Sequence, residues 1–239
     1  MALVTGSAVR IGSSIVEDLH SQGLNVVVNY RTSAEPADAL VAKLNRIRPD
    51  SALALAADIR DPAACKALAD GAYGWSGRLD VLVNNASTFY PTPIENASEE
   101  QWNDLFGSNL KGPFFLAQAT RPALAEREGC IINLLDVWVI KTLAQHPVYS
   151  AAKAGLASLT RTLALDLAPE IRVNGVAPGA ILWPADEPDP DYKAATLARV
   201  PLGRMGTPQQ IARAVRYLAL EANYVTGQTI PVDGGASLR

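Results

Sequence analysis

The sequence predicts an α/β fold in which a doubly wound, mainly parallel sheet of seven strands carries helices on both faces. Short apolar runs alternate with helical patterns along the chain, which is the order found in parallel sheets. Some runs, such as residues 24–29, have the continuous apolar character of strands covered on both faces. The 239 residues, 49% of them hydrophobic, suit a single domain over residues 1–239 with a large core.

Composition and charge exclude several classes of function. The net charge of −3 gives a nucleic-acid partner no electrostatic support. Cys65 and Cys130 match no metal-ligand spacing and the chain has only two histidines, so we predict no metal site and no disulfide framework. Because no signal peptide precedes Ala2 and no apolar run is long enough to span a bilayer, we expect a cytoplasmic protein without a membrane partner.

The first third of the chain has the alternation of a dinucleotide-binding unit. An apolar run at residues 2–4 ends at Thr5-Gly6, and Gly12 opens a helical pattern that continues to about residue 22. A strand, a glycine-rich turn and a helix in this order favour phosphate binding at the helix N-terminus. The βαβαβ order is completed by a strand, a helix and a strand at residues 24–29, 35–46 and 52–56. We therefore predict a Rossmann-type sheet.

The end of the second strand indicates which dinucleotide binds. A carboxylate there would bind the ribose hydroxyls of NAD and repel a 2′-phosphate. No acid is present, and the residues are Asn29, Tyr30, Arg31, Thr32 and Ser33. Arg31 offers charge and its two neighbours offer hydroxyl groups, while Arg10 in the glycine turn adds a second cation. Solvated surface arginines are the alternative, but the missing acid favours NADPH.

Polar and aromatic residues follow the third and fourth strands. Asp58, before Ile59, suits either an acceptor for the adenine amino group or an N-cap for the helix that starts near residue 62. The fourth strand, at residues 79–87, ends in small and amide residues, which open α/β sheets use for ligand binding. The nearby Phe89 is either rim packing or a ring that sandwiches a flat substrate.

Four residues in the second half of the chain are candidates for a catalytic role. Asn109 lies in an otherwise apolar helix and is either buried with partners or functional. Asp136 ends the fifth strand, at residues 130–135, where a carboxylate is costly to bury without a task or a partner. Tyr149 and Lys153 lie four residues apart in a helical segment that continues to about residue 167, so they share one helix face. A nearby ammonium group favours the phenolate, although two surface residues would show the same spacing.

The last third is predicted to contain a lid and to close the sheet. A sixth strand, at residues 171–177, ends at Pro178-Gly179, and residues 180–207 form the one long irregular region, which favours a substrate lid. Trp183 either packs over a ligand or anchors the lid to the core. A helix at residues 208–220 and a strand at residues 229–232 follow.

Taken together, these motifs make the chain resemble a short-chain dehydrogenase/reductase over essentially its whole length. The residues that carry the resemblance are Thr5-Gly6 with Gly12, Asn84-Asn85-Ala86, Asn109, Tyr149 with Lys153, Pro178-Gly179 and Asp233-Gly234-Gly235. The resemblance implies that Tyr149 is the proton donor or acceptor and that Lys153 holds the nicotinamide ribose and lowers the pKa of the tyrosine. It also implies that Asn109 positions a proton-relay water. The implied cofactor contacts are Gly6, Arg10, Ile11, Gly12, Tyr30, Arg31, Thr32, Ser33, Asp58, Ile59, Asn85, Ala86, Ser87, Lys153, Pro178 and Gly179.

The chain departs from the general family pattern at two positions. Arg10 stands where the glycine turn usually has a third glycine, and Asp136 stands thirteen residues before Tyr149, where the family has a serine that binds a substrate carbonyl. An ionised carboxylate cannot donate a hydrogen bond to a carbonyl oxygen. It can accept hydrogen bonds from a substrate with N–H groups, and it favours the protonated form of Tyr149.

Both departures occur together in the pteridine reductase subgroup, which this chain closely resembles from Thr5 to Gly12 and from Asn84 to Pro93. The resemblance implies that Phe89 and the nicotinamide sandwich a pterin ring, and that Ser87 and Arg10 contact its polar edge or the cofactor phosphates. The predicted substrate contacts are Arg10, Ser87, Phe89, Asp136, Tyr149 and Trp183. His146 falls where the subgroup has a substrate-lining residue, but we favour a plain loop histidine over a ligand contact.

The predicted reaction is NADPH-dependent reduction of a C=N bond in a dihydropterin or dihydrofolate by a homotetramer. Two alternatives stay open. One is a carbonyl reductase of the same fold that acts on 3-oxoacyl thioesters or sugars, and the other is a non-enzymatic NADPH-sensing protein.

Overall fold

The computed structural model describes residues 1–141, 143–183 and 189–238. Its seven strands form one sheet in the order β3-β2-β1-β4-β5-β6-β7, and every pair of neighbouring strands is parallel. The strands are β1 (Ala2–Val4), β2 (Val26–Tyr30), β3 (Ala52–Ala56), β4 (Val81–Asn84), β5 (Cys130–Leu134), β6 (Arg172–Pro178) and β7 (Thr229–Val232). The predicted fold class is therefore confirmed, while the single domain over residues 1–239 stays a prediction.

Eight α-helices connect the strands within the described residues. They are α1 (Arg10–Ser21), α2 (Ala34–Ile47), α3 (Pro62–Ser76), α4 (Glu99–Phe106), α5 (Gly112–Ala125), α6 (Pro147–Asp166), α7 (Pro190–Ala198) and α8 (Pro208–Arg216). No helix in these ranges is long and apolar enough to cross a bilayer.

The strands bury alternate side chains in two separate cores, one on each face of the sheet. In β1, Val4 packs with residues of α1, α2 and α8, whereas Leu3 packs with residues of α3 and α5. In β5, Ile132 and Ile131 divide between the same two cores. Since successive side chains of a strand point to opposite faces, a strand covered on both sides is apolar throughout. This explains the continuous apolar runs of the sequence.

The helix boundaries follow from local chemistry. Asp61 caps α3 by accepting a hydrogen bond from the Ala63 amide (2.9 Å), and Pro62 is the first helical residue. Asp58 is therefore not the cap. Ser98 with Gln101, and Thr207 with Gln210, form capping boxes at the starts of α4 and α8.

Two predicted helices contain a π-helical segment, and the predicted lid is partly helical. The helix through Asn109 widens into a π-helix at Gly107–Lys111, between α4 and α5, and α8 ends in another at Tyr217–Glu221. The prediction that residues 180–207 are irregular is wrong over α7, which Asp189 caps through hydrogen bonds from the Asp191 and Tyr192 amides. The lid positions 184–188 lie outside the described residues.

A buried histidine in α1 makes the fold sensitive to acid. His20 is 5% exposed, and its Nε2 lies 2.7 Å from the Ser51 Oγ at the start of β3. Burial, and to a smaller extent the positive charge of Arg48, lower the pKa of His20 below its ordinary value. The folded state therefore prefers the neutral imidazole.

We expect the free energy of unfolding to fall as the pH drops below about 6.5, the pKa of an unfolded histidine. Because the folded pKa is the lower one, the stabilisation is complete above that pH and is lost as the pH falls through the folded pKa. Urea unfolding between pH 8 and pH 5 should give a flatter pH dependence for His20→Gln than for the wild type. Ser51→Ala is the control, since it removes the hydrogen bond but keeps the imidazole. It should lower stability by about 1 kcal/mol at every pH, and an unchanged slope in His20→Gln would contradict the expectation.

Candidate active site

A cleft of about 370 Å³ runs along the carboxyl ends of β1 to β4. The predicted cofactor contacts that line it are Gly6, Arg10, Ile11, Gly12, Tyr30, Arg31, Thr32, Ser33, Asp58, Ile59, Asn85, Ala86 and Ser87. Among the described residues, Lys153, Pro178 and Gly179 do not line this cleft, because they lie on α6 and at the end of β6. Thirteen of the sixteen predicted contacts thus line one cleft, and their role in cofactor binding stays a prediction.

The floor of the cleft is held by hydrogen bonds between the glycine turn and the end of β4. The Thr5 hydroxyl accepts from the Asn85 and Ala86 amides (3.0 Å each), and the Asn85 Nδ2 donates to the carbonyls of Thr5 (2.8 Å) and Gly6 (3.0 Å). A Cβ on Gly6 would lie 2.8 Å from the Ala86 Cα. A side chain at this turn would therefore push the two strand ends apart.

Arg10 adopts the backbone conformation that glycine favours. Its φ is +57°, in the left-handed region, where a side chain costs roughly 1–2 kcal/mol. The departure from the family's glycine therefore keeps the local backbone of a glycine and adds a cation to the wall of the cleft. Local strain of this kind is typical of functional sites.

The cation predicted to bind the 2′-phosphate is loosely held. The Arg31 side chain is 45% exposed, and its Nη1 lies 3.9 Å from the Asp104 Oδ1. Asn29, beside it, is structural: its Oδ1 accepts from the Gly6 amide (3.2 Å) and its Nδ2 donates to the Leu55 and Ala57 carbonyls. Of the polar residues at this strand end, Arg31 is thus the one that offers charge to a ligand.

Sequence reasoning missed Arg60. This residue lines the cleft and holds Asp58 through Nε and Nη2, at 3.0 and 2.5 Å from the Asp58 Oδ2. Its Nη1 donates to the Asp104 Oδ1 (2.6 Å). The hydrogen bonds from Arg60 hold the pKa of Asp58 below its usual range, although burial opposes them. The only signal in the sequence was the spacing of two residues from Asp58.

The predicted acid–base residues meet at the end of β5. The Tyr149 hydroxyl donates to the Asp136 Oδ2 (2.6 Å), while the Asp136 Oδ1 accepts from the Trp138 amide (3.1 Å). Burial raises the pKa of Tyr149 far above its ordinary value, and the charge of Asp136 raises it further. Burial also raises the pKa of Asp136, against the hydrogen bond from Tyr149. The tyrosine therefore keeps its proton.

Lys153 lies one turn along α6, as predicted, but it does not lower the pKa of Tyr149 in this structure. Its Nζ donates to the Leu134 carbonyl (2.8 Å) and lies 5.9 Å from the centre of the Tyr149 ring. The side chain is 3% exposed, and burial lowers the pKa of Lys153 to about 8, against the attraction of Asp136. The buried ammonium group of Lys153 therefore interacts with the carboxylate of Asp136 and not with a phenolate at Tyr149.

The amide of Asn109 is fully used by the protein. Asn109 is completely buried in the π-helical segment, where its Nδ2 donates to the carbonyls of Leu105 (2.9 Å) and Thr88 (3.0 Å). Its Oδ1 accepts from the Ser87 hydroxyl (2.6 Å). Asn109 thus fixes the segment that follows β4, and π-helical segments of this kind are frequent at functional sites. The predicted water relay stays a prediction.

Phe89 joins Tyr149 and His146 in an aromatic cluster. The Phe89 ring is 55% exposed, stacks on His146 with centroids 4.7 Å apart and planes at 9°, and meets Tyr149 edge-on at 4.8 Å. Phe89 is therefore packed and still offers ring surface beside Tyr149, and His146 has a packing role on this ring. Trp183 contacts Tyr192 of α7, with centroids 6.5 Å apart, within the predicted lid.

Known proteins are similar in sequence to this chain over its whole length. A family model described as enoyl-(acyl carrier protein) reductase matches residues 6–237. Pteridine reductase 1 of Leishmania tarentolae is 39% identical over 100% of this chain and 96% of its own length. The 3-oxoacyl-[acyl-carrier-protein] reductase FabG of Staphylococcus aureus is 40% identical over 98% of this chain and 96% of its own length. The 3beta-hydroxysteroid dehydrogenase 1 of Eggerthella lenta is 37% identical over 99% of this chain and 93% of its own length.

These relatives are oxidoreductases, and the family model matches the chain from the glycine turn to beyond β7. The chain therefore belongs to the short-chain dehydrogenase/reductase family of oxidoreductases.

Proposed function

We propose that this protein is an NADPH-dependent pteridine reductase that reduces a C=N bond of a dihydropterin or dihydrofolate to the tetrahydro form. The observation that carries the proposal is the hydrogen bond from Tyr149 to Asp136 (2.6 Å) at the end of β5. A carboxylate next to the proton donor suits a substrate that presents N–H groups and accepts a proton on nitrogen. The 39% identity to a pteridine reductase supports the same substrate class.

The residues of the cleft fit NADPH. The glycine turn leads into the N-terminus of α1, which favours phosphate groups. Arg10 and Arg31 supply cations to the cleft, and the end of β2 has no acid that would repel a 2′-phosphate. When bound, NADPH supplies the hydride. The protein must bind it, orient the substrate and provide the proton.

Tyr149 is the proposed proton donor. Its raised pKa keeps the hydroxyl protonated until a more basic nitrogen is within reach, and Asp136 fixes the direction of the hydroxyl. Loss of the proton would leave two negative charges side by side at Asp136 and Tyr149. The buried ammonium group of Lys153 offsets them, since its pKa of about 8 leaves it mostly charged at neutral pH.

Phe89 is the proposed platform for the substrate ring, because its half-exposed face lies next to Tyr149. Asn109 holds Ser87 at the same edge. The segments 180–183 and 189–207, with Trp183, form the proposed lid. We also propose a homotetramer, for which the exposed apolar side chains of Trp102, Phe114 and Leu165 on α4, α5 and α6 provide contact surface.

The 40% identity to a 3-oxoacyl thioester reductase favours one competing function, a carbonyl reductase. Carbonyl reduction needs a donor to the substrate oxygen, which an ionised Asp136 does not provide. A non-enzymatic NADPH sensor would not need the buried set of Asn109, Tyr149 and Lys153.

We expect the purified protein to oxidise NADPH in the presence of dihydrobiopterin, dihydromonapterin or dihydrofolate. The absorbance of NADPH at fixed enzyme concentration measures the rate, and a 3-oxoacyl thioester is the comparison substrate. Faster turnover of the thioester than of all three pteridines would replace the proposal by the carbonyl reductase. NADPH binding without turnover of any substrate would support the sensor.

Replacing Asp136 should separate catalysis from cofactor binding. Asp136→Ala should lower kcat/KM for the pterin by roughly 10²–10⁴, a typical range for a proton-transfer contribution, with NADPH affinity nearly unchanged. Asp136→Ser is the matched variant, because a hydroxyl can donate to a carbonyl. It should lose pterin turnover and gain activity on the thioester. Equal losses of turnover and NADPH affinity in Asp136→Ala would instead indicate a structural role.

Arg10→Gly should bind NADPH more weakly and yet unfold at higher temperature. Glycine relieves the left-handed strain at φ +57°, which stabilises the folded state. The greater freedom of glycine in the unfolded chain offsets part of this effect, so the free energy of unfolding should rise by up to about 1 kcal/mol. Losing the cation should weaken NADPH binding about tenfold. Arg10→Ala loses the cation but keeps the strain, so it should match the weaker binding without the gain in stability. Thermal unfolding and NADPH titration measure both effects, and equal stability of the two variants would contradict the strain.

A further inference from the structure

Asp104, on α4, lies where three side chains from different parts of the chain converge. Its Oδ1 accepts from the Arg60 Nη1 (2.6 Å) and lies 3.9 Å from the Arg31 Nη1, and its Oδ2 accepts from the Tyr90 hydroxyl (3.0 Å). The carboxylate is 20% exposed. Two of its partners line the cofactor cleft, and the third follows Phe89 directly in the chain.

We propose that Asp104 is a positioning residue through which the 2′-phosphate of the cofactor tightens the Phe89 segment, defined as residues 87–93. This inference rests on the proposed function for the identity of the cofactor. It assigns to the 2′-phosphate a second role besides affinity, namely ordering of the substrate platform.

The two arginines hold Asp104 with very different geometry. Arg60 is also fixed to Asp58, and its stem lies against Gly107, where an added Cβ would come within 3.0 Å of the Arg60 Cγ. Arg31 is half-exposed and more than 1 Å farther from the carboxylate than Arg60 is. A phosphate in the cleft therefore competes with Asp104 for Arg31 and leaves Arg60 in place.

Withdrawal of Arg31 changes the hydrogen bond from Tyr90. With one cation fewer, the Asp104 carboxylate is less neutralised and becomes a stronger acceptor for the Tyr90 hydroxyl. That hydroxyl is already firmly protonated, because burial and Asp104 raise the pKa of Tyr90 to about 12. The stronger bond holds Tyr90 against α4.

The Phe89 segment is held on both sides of Tyr90. Before it, Ser87 and Thr88 bind the side chain of Asn109, and the Phe89 ring packs on His146 and Tyr149. The Thr92 amide donates to the Gln145 carbonyl (2.8 Å), and the Thr88 hydroxyl lies 2.6 Å from the Ser108 Oγ. Tyr90 lies between these contacts in the chain and is connected to Arg31 through Asp104. Tightening at Tyr90 should therefore reduce opening of the Thr92 hydrogen bond, which amide exchange reports.

The test compares two cofactors that differ only in the 2′-phosphate. We expect the peptide containing the Thr92 amide to exchange hydrogen for deuterium roughly two- to fivefold more slowly in the full-length protein saturated with NADP⁺ than with NAD⁺. Tyr90→Phe, which removes only the hydroxyl, should exchange equally with both cofactors. Glu99→Gln removes a neighbouring exposed acid of α4 and should keep the wild-type difference.

Asp104→Asn gives a second readout that needs no substrate. Without the competing carboxylate, the ratio of NADP⁺ to NAD⁺ affinity should rise roughly two- to fivefold. Equal exchange with both cofactors in the wild type, or a difference that persists in Tyr90→Phe, would overturn the inference. If exchange differs between NADP⁺ and NAD⁺ but the protein reduces no pterin, the proposed substrate is wrong and the inference about Asp104 is still supported. The two failures are therefore distinguishable.

Discussion

The close approach of the glycine turn to the end of β4 sets the geometry on which the site depends. A Cβ at Gly12 would lie 2.6 Å from the Asn85 Nδ2, and one at Gly6 would lie 2.8 Å from the Ala86 Cα. Because neither glycine carries a side chain, the glycine turn at the start of α1 lies directly beside the strand end that leads into the Phe89 segment. The phosphate side of the cleft and the acid–base side thereby share one edge of a parallel sheet, where doubly wound folds bind ligands.

The charged residues on the two sides of this edge differ in their exposure to water, and this difference changes how strongly their charges interact. Arg31 is nearly half-exposed, so it can exchange one anion for another at little cost. Tyr149 and Lys153 are almost completely buried, so their charges interact strongly and their pKa values move in opposite directions. The proposed binding by an exposed charge and the proposed proton transfer in a buried cluster thus fall to different residues at the same edge of the sheet.

The sequence predicted what depends on local pattern and missed what depends on distant polar contacts. The strands, the glycine turn and the shared face of Tyr149 and Lys153 follow from periodicity and spacing. The contact between Arg60 and Asp104 joins residues 44 positions apart, and no local pattern encodes it. The π-helical segment at Asn109 covers only five residues, too few for its altered period to be recognised in the sequence. The helix α7 was missed because the acids and prolines around its start are equally typical of a loop.

The identity of one side chain decides more about the reaction than overall similarity does. Relatives named for a pteridine and for a 3-oxoacyl thioester are 39% and 40% identical to this chain, so overall similarity does not distinguish the two reactions. A hydroxyl group at position 136 can donate a hydrogen bond to a substrate, whereas an ionised carboxylate there can only accept one. Leaving a buried polar group of a substrate unpaired costs about 1–3 kcal/mol, or one to two powers of ten in rate. A single residue at position 136 is therefore enough to favour one of the two substrate classes over the other.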